Sequence, residues 1–437
     1  MLTFTRRPST PGRPVRASRW RGHLHRALPG IRLGAVSGTL GARIGTTGLG
    51  AVAAIAAARG LGTHGRALLA LMMAVPVLCT VVGVLGLDNA NARFAGRSHS
   101  AFRQVVRRSV VFAAIAGSVF GGGWWVCGLI WPVVRFGINP RLALLSAAVC
   151  PVCLLVTLLS TAEIGRDHIA AYNVIMTVTT AVYVAGVVVL FATGTLTVAR
   201  CFLVFTVSQL IALVAFLKLA TGRVHPDGEQ VSHREYRSYA FRAYLPNLVQ
   251  YGMLRMDIPL IQVLAGTTAV AMYAVALPVA EILMLIPTAA ALVIFPRVTA
   301  GAVDMAAARR IGRTALVASA AFAAVTALAA PVLVPAVYGT EYHNSVAVVW
   351  CMLPGLVLFS AVRVRQAYLA ATDQLKQAIM ATAVAAAACL LCLVALAPRF
   401  GAAGAGLADS AGYLAFAVVL VAATRRRDRR HWWPSRC

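Results

Sequence analysis

Seven ionisable residues lie inside long apolar stretches of this 437-residue chain, and these residues could do chemistry there. A charged side chain within a membrane-spanning helix is costly, so it usually faces a cavity or pairs with another group. Guanidinium groups bind phosphate through two parallel hydrogen bonds and keep their charge, whereas carboxylates can take up a proton or a cation. The seven residues are Arg43, Arg255, Asp257, Glu281, Arg363, Arg365 and Asp409.

Three of these residues flank a predicted turn at Gly266. Arg255 and Asp257 are two positions apart, so on a regular helix they point about 200° away from each other. Arg255 precedes Gly266 by 11 residues and Glu281 follows Val270 by 11, which places both about 16 Å from the turn. We predict an Arg255–Glu281 contact or a shared cavity face. Asp257 and Glu281 are candidates for ion coupling or for a structural ion pair.

The other arginines lie close to predicted helix ends. Arg363 and Arg365 would lie about 10–12 Å inside the end of their helix, and their spacing lets only one face inward. Arg43 lies one turn into the first span. These arginines either line a cavity or extend to the membrane surface, as long basic side chains do readily. We take Arg43, Arg255, Arg363 and Arg365 as candidates for substrate binding.

Catalytic signatures are absent from the sequence. It contains no GxxxxGK[ST], HExxH or GxSxG motif, so ATP hydrolysis, zinc catalysis and serine hydrolysis are not indicated. Cys150 and Cys153 form a CxxC, but their apolar surroundings favour packing over redox or metal chemistry. We therefore predict no catalytic residue, no metal site and no cofactor.

The composition indicates a membrane protein. Hydrophobic residues make up 60% of the chain and charged residues 12%, about half the charged share of a soluble domain. Apolar runs of about 20 residues predict membrane-spanning helices, and the fold class is an all-α membrane protein. Twelve spans are predicted at about 41–58, 67–87, 109–134, 140–160, 169–192, 197–219, 241–265, 269–295, 314–337, 345–371, 377–397 and 402–423.

The basic residues set the predicted topology. The net charge of +27 would suggest nucleic-acid binding in a soluble protein. Here most arginines fall in alternate loops, on the side that holds both termini, which predicts that this side is the cytoplasm. No nucleic-acid partner is expected. We call the predicted cytoplasmic side the inner side.

The domain organisation follows from the spans and the largest inner loop. We predict a disordered basic cytoplasmic tail at 1–40, a six-helix lobe at 41–219 and a cytoplasmic linker at 220–240. A second six-helix lobe follows at 241–423, and a basic cytoplasmic tail at 424–437. Gly62-Thr63 recurs as Gly266-Thr267 at the corresponding place of the second half, which favours two parallel repeats.

Four stretches, taken in order, resemble one known family. The strongest is 251–297, YGMLRMDIPLIQVLAGTTAVAMYAVALPVAEILMLIPTAAALVIFPR; the others are 58–71, 335–355 and 400–413. In these stretches the chain resembles the polysaccharide-biosynthesis (O-antigen, oligosaccharide-lipid) flippases. They belong to the multidrug/oligosaccharidyl-lipid/polysaccharide exporter superfamily. The resemblance touches both halves and covers essentially all twelve spans.

The resemblance implies a fold and an activity. Two six-helix lobes would form a V and alternate access to a cationic central cavity that takes an undecaprenyl-diphosphate-linked sugar. Arg255, Asp257 and Glu281 match charged positions of the family pattern. Residues 371–374, Ala-Thr-Asp-Gln, depart from it because many members carry a Gly-Arg or Gly-Lys after the alanine.

We therefore predict a non-enzymatic flippase of lipid-linked oligosaccharide in the bacterial cytoplasmic membrane. Its predicted partners are the lipid-linked substrate, membrane lipids, and the polymerase and glycosyltransferases of the same pathway. Two alternatives stay open. A gradient-driven multidrug-type exporter would favour acidic over basic cavity residues. A membrane glycosyltransferase or polymerase would favour a large outer loop with acidic and histidine residues.

Overall fold

The computed structural model describes residues 33–221, 231–299, 305–372 and 375–431, and its regular elements in these ranges are all helical. Two short 3-10 turns, Pro132–Arg135 and Thr340–Tyr342, lie between α-helices. The α-helices are α1 (Leu33–Gly83), α2 (Leu87–Phe94), α3 (His99–Ile130), α4 (Pro140–Gly165), α5 (Ile169–Ala192), α6 (Val198–Ala220), α7 (His233–Arg255), α8 (Asp257–Thr299), α9 (Met305–Tyr338), α10 (Ser345–Ala371) and α11 (Leu375–His431).

The helices account for about twelve crossings. Within the described ranges, nine helices are long and apolar enough to cross a membrane. Two of them, α1 and α11, bend at Gly62 and Gly401 into two arms, each long enough to span. The remaining crossing combines α7 with the first arm of α8, which bends at Gly266. The prediction of an all-α membrane protein with about twelve spans is confirmed.

Gly62 and Gly266 adopt the same unusual backbone conformation. Their φ/ψ values are 65°/−178° and 83°/−179°, a region that only glycine occupies readily. The two glycines are the anchors of the repeat proposed from the sequence. The structure thus gives the same local bend at corresponding places in the two halves of the chain.

The largest buried cluster joins the two halves. It contains Leu69, Leu71 and Met72 of α1 together with Tyr273 of α8 and Tyr342 after α9. Each of these five side chains is almost completely buried. Aromatic and branched side chains of this size contribute most of the contact area in such a core.

The predicted linker is anchored to the first half at its far end. Residues 222–230 lie outside the described residues, and α7 begins at His233. Asn91 of α2 donates to Ser109 Oγ and to the carbonyl of Leu158, both at 2.9 Å, and accepts from the Tyr236 hydroxyl at 2.5 Å. This buried network fixes the start of α7 against the first half.

The predicted tails are only partly described. Helix α1 begins at Leu33, inside the predicted tail 1–40, and α11 continues to His431, inside 424–437. Residues 1–32 and 432–437 lie outside the described residues.

Candidate functional site

Two intramembrane carboxyl groups meet at one tyrosine hydroxyl. The hydroxyl of Tyr273 lies 2.6 Å from Asp257 Oδ2 and 2.8 Å from Asp409 Oδ2. The Cys389 thiol lies 3.7 Å from the other oxygen of Asp409. Tyr273 is 1% exposed, while both aspartates are part-exposed. We call Asp257, Tyr273 and Asp409 the Asp–Tyr–Asp cluster.

Two backbone breaks position Asp257 and Tyr273. The helix is interrupted at Met256, so α7 ends at Arg255 and Asp257 starts α8. There the Asp257 carboxylate accepts from the backbone N–H of Ile258 at 2.9 Å, and a negative charge at a helix start is favourable. The bend at Gly266 then brings Tyr273, in the second arm of α8, back to Asp257.

The residue after Asp409 fixes α11 against α10. The Ser410 hydroxyl donates to the carbonyl of Cys351 at 2.5 Å and accepts from the N–H of Gly355 at 3.1 Å. The Cys351 carbonyl and the Gly355 N–H would bond to each other in a regular α-helix. The Ser410 hydroxyl bridges them instead. Gly355 permits this approach, because a Cβ there would lie 2.4 Å from Ser410 Cα. Small residues allow such close contacts between membrane helices.

The Asp–Tyr–Asp cluster has two short oxygen–oxygen contacts but only one hydroxyl proton of Tyr273 to place in them. A tyrosine hydroxyl carries one proton, while an ionised carboxylate can only accept. Two ionised carboxylates around one hydroxyl would leave one short oxygen–oxygen contact without a proton. The distances therefore fit a state in which the cluster holds one additional proton.

Two candidate arginines belong to opposite halves of the chain, Arg43 to α1 and Arg363 to α10. Arg363 is part-exposed and donates to Gln366 Oε1 at 2.6 Å, while Arg43 is exposed. Guanidinium groups of this kind bind phosphate oxygens through paired hydrogen bonds.

The remaining predicted site residues are Arg365, Glu281 and Arg255. Arg365 is part-exposed on α10 and Glu281 is exposed on α8. The side chain of Arg255 lies outside the described residues, so the predicted Arg255–Glu281 contact stays a prediction. The break at Met256 does remove the regular helix between Arg255 and Asp257.

Sequence reasoning missed the contacts between the halves at the outer side. Arg59 of α1 donates from Nε to the carbonyl of Val337 at 2.7 Å, and also binds the carbonyl of Ala336. Arg66 donates to the carbonyl of Ala274 at 3.1 Å. The Tyr342 hydroxyl donates to the carbonyl of Ala58 at 3.2 Å. We call this set the outer latch; in the sequence Arg59 and Arg66 look like ordinary loop charges.

The sequence matches a known family model described as "Polysaccharide biosynthesis protein" over residues 61–347. The chain belongs to this family. Its long apolar helices make it a multi-pass membrane protein. No curated protein matches the sequence.

Solved structures share the fold of this family member. A lipid II flippase, MurJ, in an inward closed conformation matches with a TM-score of 0.70 at 12% identity, covering 90% of this chain and 88% of that one. An inward-facing multidrug-resistance MATE transporter of the MOP superfamily gives 0.69 at 15% identity, covering 90% and 96%. An outward-facing MATE transporter gives 0.60 at 14% identity, covering 90% and 95%. At these identities the likeness establishes the fold.

Proposed function

We propose that the protein flips a lipid-linked oligosaccharide of the undecaprenyl-diphosphate type across the bacterial cytoplasmic membrane. Both termini lie in the cytoplasm, and the two halves alternate access to a cationic cavity. Glycosyltransferases of the pathway supply the substrate on the inner side, and a polymerase receives it on the outer side. Membership of the polysaccharide-biosynthesis family supports the substrate class.

The family match over residues 61–347 carries this proposal, and Arg43 and Arg363 are the cations that we assign to the substrate. A diphosphate presents two adjoining anionic groups, and guanidinium groups bind such oxygens through paired hydrogen bonds. The two arginines belong to different halves, so an anion bound by both would draw the inner ends of the halves together. Binding is thereby linked to the conformational change. An exporter of cations would not favour two arginines at this place.

Coupling is assigned to the Asp–Tyr–Asp cluster. Its one-proton geometry supports uptake of a proton or a small cation by Asp257 and Asp409, with Tyr273 between them. Glu281, the other coupling candidate, is exposed and stands apart from this hydrogen-bond network. An exchange of charge at the cluster would bias the two conformations of the second half.

A reconstituted flipping assay tests the proposal. Purified protein in liposomes receives a fluorescent undecaprenyl-diphosphate sugar, and a membrane-impermeant quencher reports which leaflet holds it. We expect wild type to speed the crossing and Arg363→Gln to slow it by roughly tenfold or more, since a lost charged hydrogen bond costs about 1.5–3 kcal/mol. Arg103→Gln, an exposed arginine at the start of α3, is the matched control.

The outcomes separate the alternatives. Equal crossing by wild type and Arg363→Gln would keep flipping and remove the arginine pair from substrate binding. Absence of crossing by wild type, with a proton gradient imposed and with several sugars, would overturn the flippase proposal. Extrusion of cationic dyes by that same preparation would then identify a multidrug-type exporter.

A further inference from the structure

An apolar groove of about 780 Å³ opens between α9 and α10 on the surface of the helix bundle. Its α9 side includes Ala320, Ala324 and Ala327, and its α10 side includes Trp350 and Leu358. We call it the α9/α10 groove. Its volume lies within the usual range of small-molecule sites, about 300–1,000 Å³.

The groove is hollow because alanines line its α9 wall. The three alanines recur at the helical spacing that places them on one face, and larger side chains there would fill the space. Trp350 is 49% exposed, yet its indole N–H donates to the carbonyl of Ala327 at 2.9 Å. The polar N–H of the indole is therefore bonded to α9, and the carbon atoms of the ring face the groove.

Arginines mark one end of the groove. Arg313 lies seven residues before Ala320, and Arg365 lies seven residues after Leu358, so each is on the groove face of its helix, about 10 Å further on. The Trp350–Ala327 bond sets the register: Arg365 follows Trp350 by 15 residues and Arg313 precedes Ala327 by 14. Both arginines thus lie at about the same depth, toward the inner side.

We propose that the α9/α10 groove binds the polyprenyl tail of the lipid-linked substrate, with Arg313 and Arg365 at its diphosphate. This inference rests on the proposed function and adds a binding place for the tail. The groove matches an amphiphile that has two adjoining anionic groups and a long, branched apolar chain. Burying each methylene in such a groove contributes roughly 0.8 kcal/mol in soluble systems, and less where lipid is the alternative surrounding.

The two arginines of α10 favour the substrate over ordinary phospholipid. Arg363 and Arg365 are two positions apart and point about 200° away from each other. Arg365 is on the groove face, while Arg363 lies on the other side of the helix and donates to Gln366. One helix therefore offers a cation on the groove side and another on the opposite side, where we propose the cavity. A diphosphate can pass between them while its tail stays in the groove, outside the cavity.

Photo-crosslinking tests the tail site without requiring transport. The probe is a polyprenyl-diphosphate sugar that carries a diazirine in its tail, and cross-linked peptides are identified by mass spectrometry. Wild type is expected to label within 320–358, and Ala324→Leu, which fills the groove, to reduce that labelling by about tenfold. Ala318→Leu is the control, because Ala318 is exposed on the same helix and points away from the groove.

The flipping assay on the same variants separates the two proposals. If wild type flips the substrate and Ala324→Leu labels and flips like Ala318→Leu, the groove inference fails and the proposed function stands. Equal labelling of the groove by a diazirine phosphatidylglycerol, undiminished by excess polyprenyl diphosphate, would make it a general lipid site and overturn the inference. Groove labelling that short-chain analogues fail to compete away, while the full-length tail does, supports it.

Discussion

At the residue scale, the three residues of the Asp–Tyr–Asp cluster are far apart in sequence. Tyr273 follows Asp257 by 16 residues and precedes Asp409 by 136. The sequence indicates Asp257 as a coupling candidate because it is a charge inside an apolar stretch, and Asp409 stands out for the same reason. Tyr273 has no such signal, because tyrosine is common in membrane helices. Its role appears only when the bend at Gly266 and the contact of α11 with α8 are known.

Removing the Tyr273 hydroxyl tests the cluster. In Tyr273→Phe the two carboxyl groups lose the proton that lies between them, so charge uptake no longer depends on one shared position. We expect the stimulation of flipping by an imposed proton gradient to fall several-fold, while flipping without a gradient changes less. Gradient-dependent flipping in liposomes measures this.

The matched control is Tyr183→Phe, because Tyr183 is a part-exposed tyrosine of α5 whose hydroxyl donates weakly to the sulfur of Met73, at 4.0 Å. Loss of gradient stimulation in both variants would point to a packing effect, and no loss in Tyr273→Phe would remove the cluster from coupling.

At the element scale, the sequence predicts most of the helices, and the exceptions have physical causes. Eleven of the twelve predicted spans fall on single helices or arms to within a few residues, because about 20 apolar residues leave few alternatives in lipid. The predicted span 241–265 is broken at Met256, which hydropathy does not register. Likewise, the Ser410 hydroxyl inserts into the backbone of α10 through a tertiary contact, which no local pattern reports. Side-chain directions next to such breaks were therefore not predictable.

The bend at Gly266 gives a prediction about the elements. Among the described residues, no other group lies within 4 Å of a Cβ built on Gly266. Gly266→Ala therefore carries mainly the backbone cost of an L-residue at φ 83° and ψ −179°. We expect this change to lower stability by about 1–3 kcal/mol. Thermal unfolding in detergent would measure it.

Gly48→Ala is the comparison, since Gly48 lies in a helix and is equally free of neighbours. Alanine is the better helix former there, and we expect a gain of about 0.5–1 kcal/mol. Equal effects of the two substitutions would mean that the bend does not depend on glycine.

At the scale of the whole molecule, the outer latch holds the two halves together at one side of the membrane. Arg59, Arg66 and Tyr342 each donate to a backbone carbonyl of the opposite half. These bonds accord with a form closed at the outer side. Opening that side requires these bonds to break.

Weakening the latch should shift the balance of the two forms. Arg59→Gln removes the charged donor at Ala336 and Val337, and a loss of about 1 kcal/mol shifts a two-state equilibrium about fivefold. Spin labels at Ala192 and Thr340, both exposed at the outer side, report the opening by pulsed electron paramagnetic resonance on a cysteine-free background. We expect a larger population of long distances.

Arg141→Gln serves as the control for the latch, because Arg141 is exposed at the same side and belongs to the first half alone. A distance distribution that is identical in Arg59→Gln and Arg141→Gln would show that the latch contributes little to closure.

The glycine bends have a consequence for how other molecules meet this protein. At Gly62, Gly266 and Gly401 the chain turns within a single residue. Three of the outer connections between helices therefore have almost no exposed loop. A protease added from that side would find few peptide bonds to cut, and an antibody few contiguous epitopes. A protein that takes the substrate at that side must bind a surface formed by the ends of several helices. That surface exists only while the chain is folded.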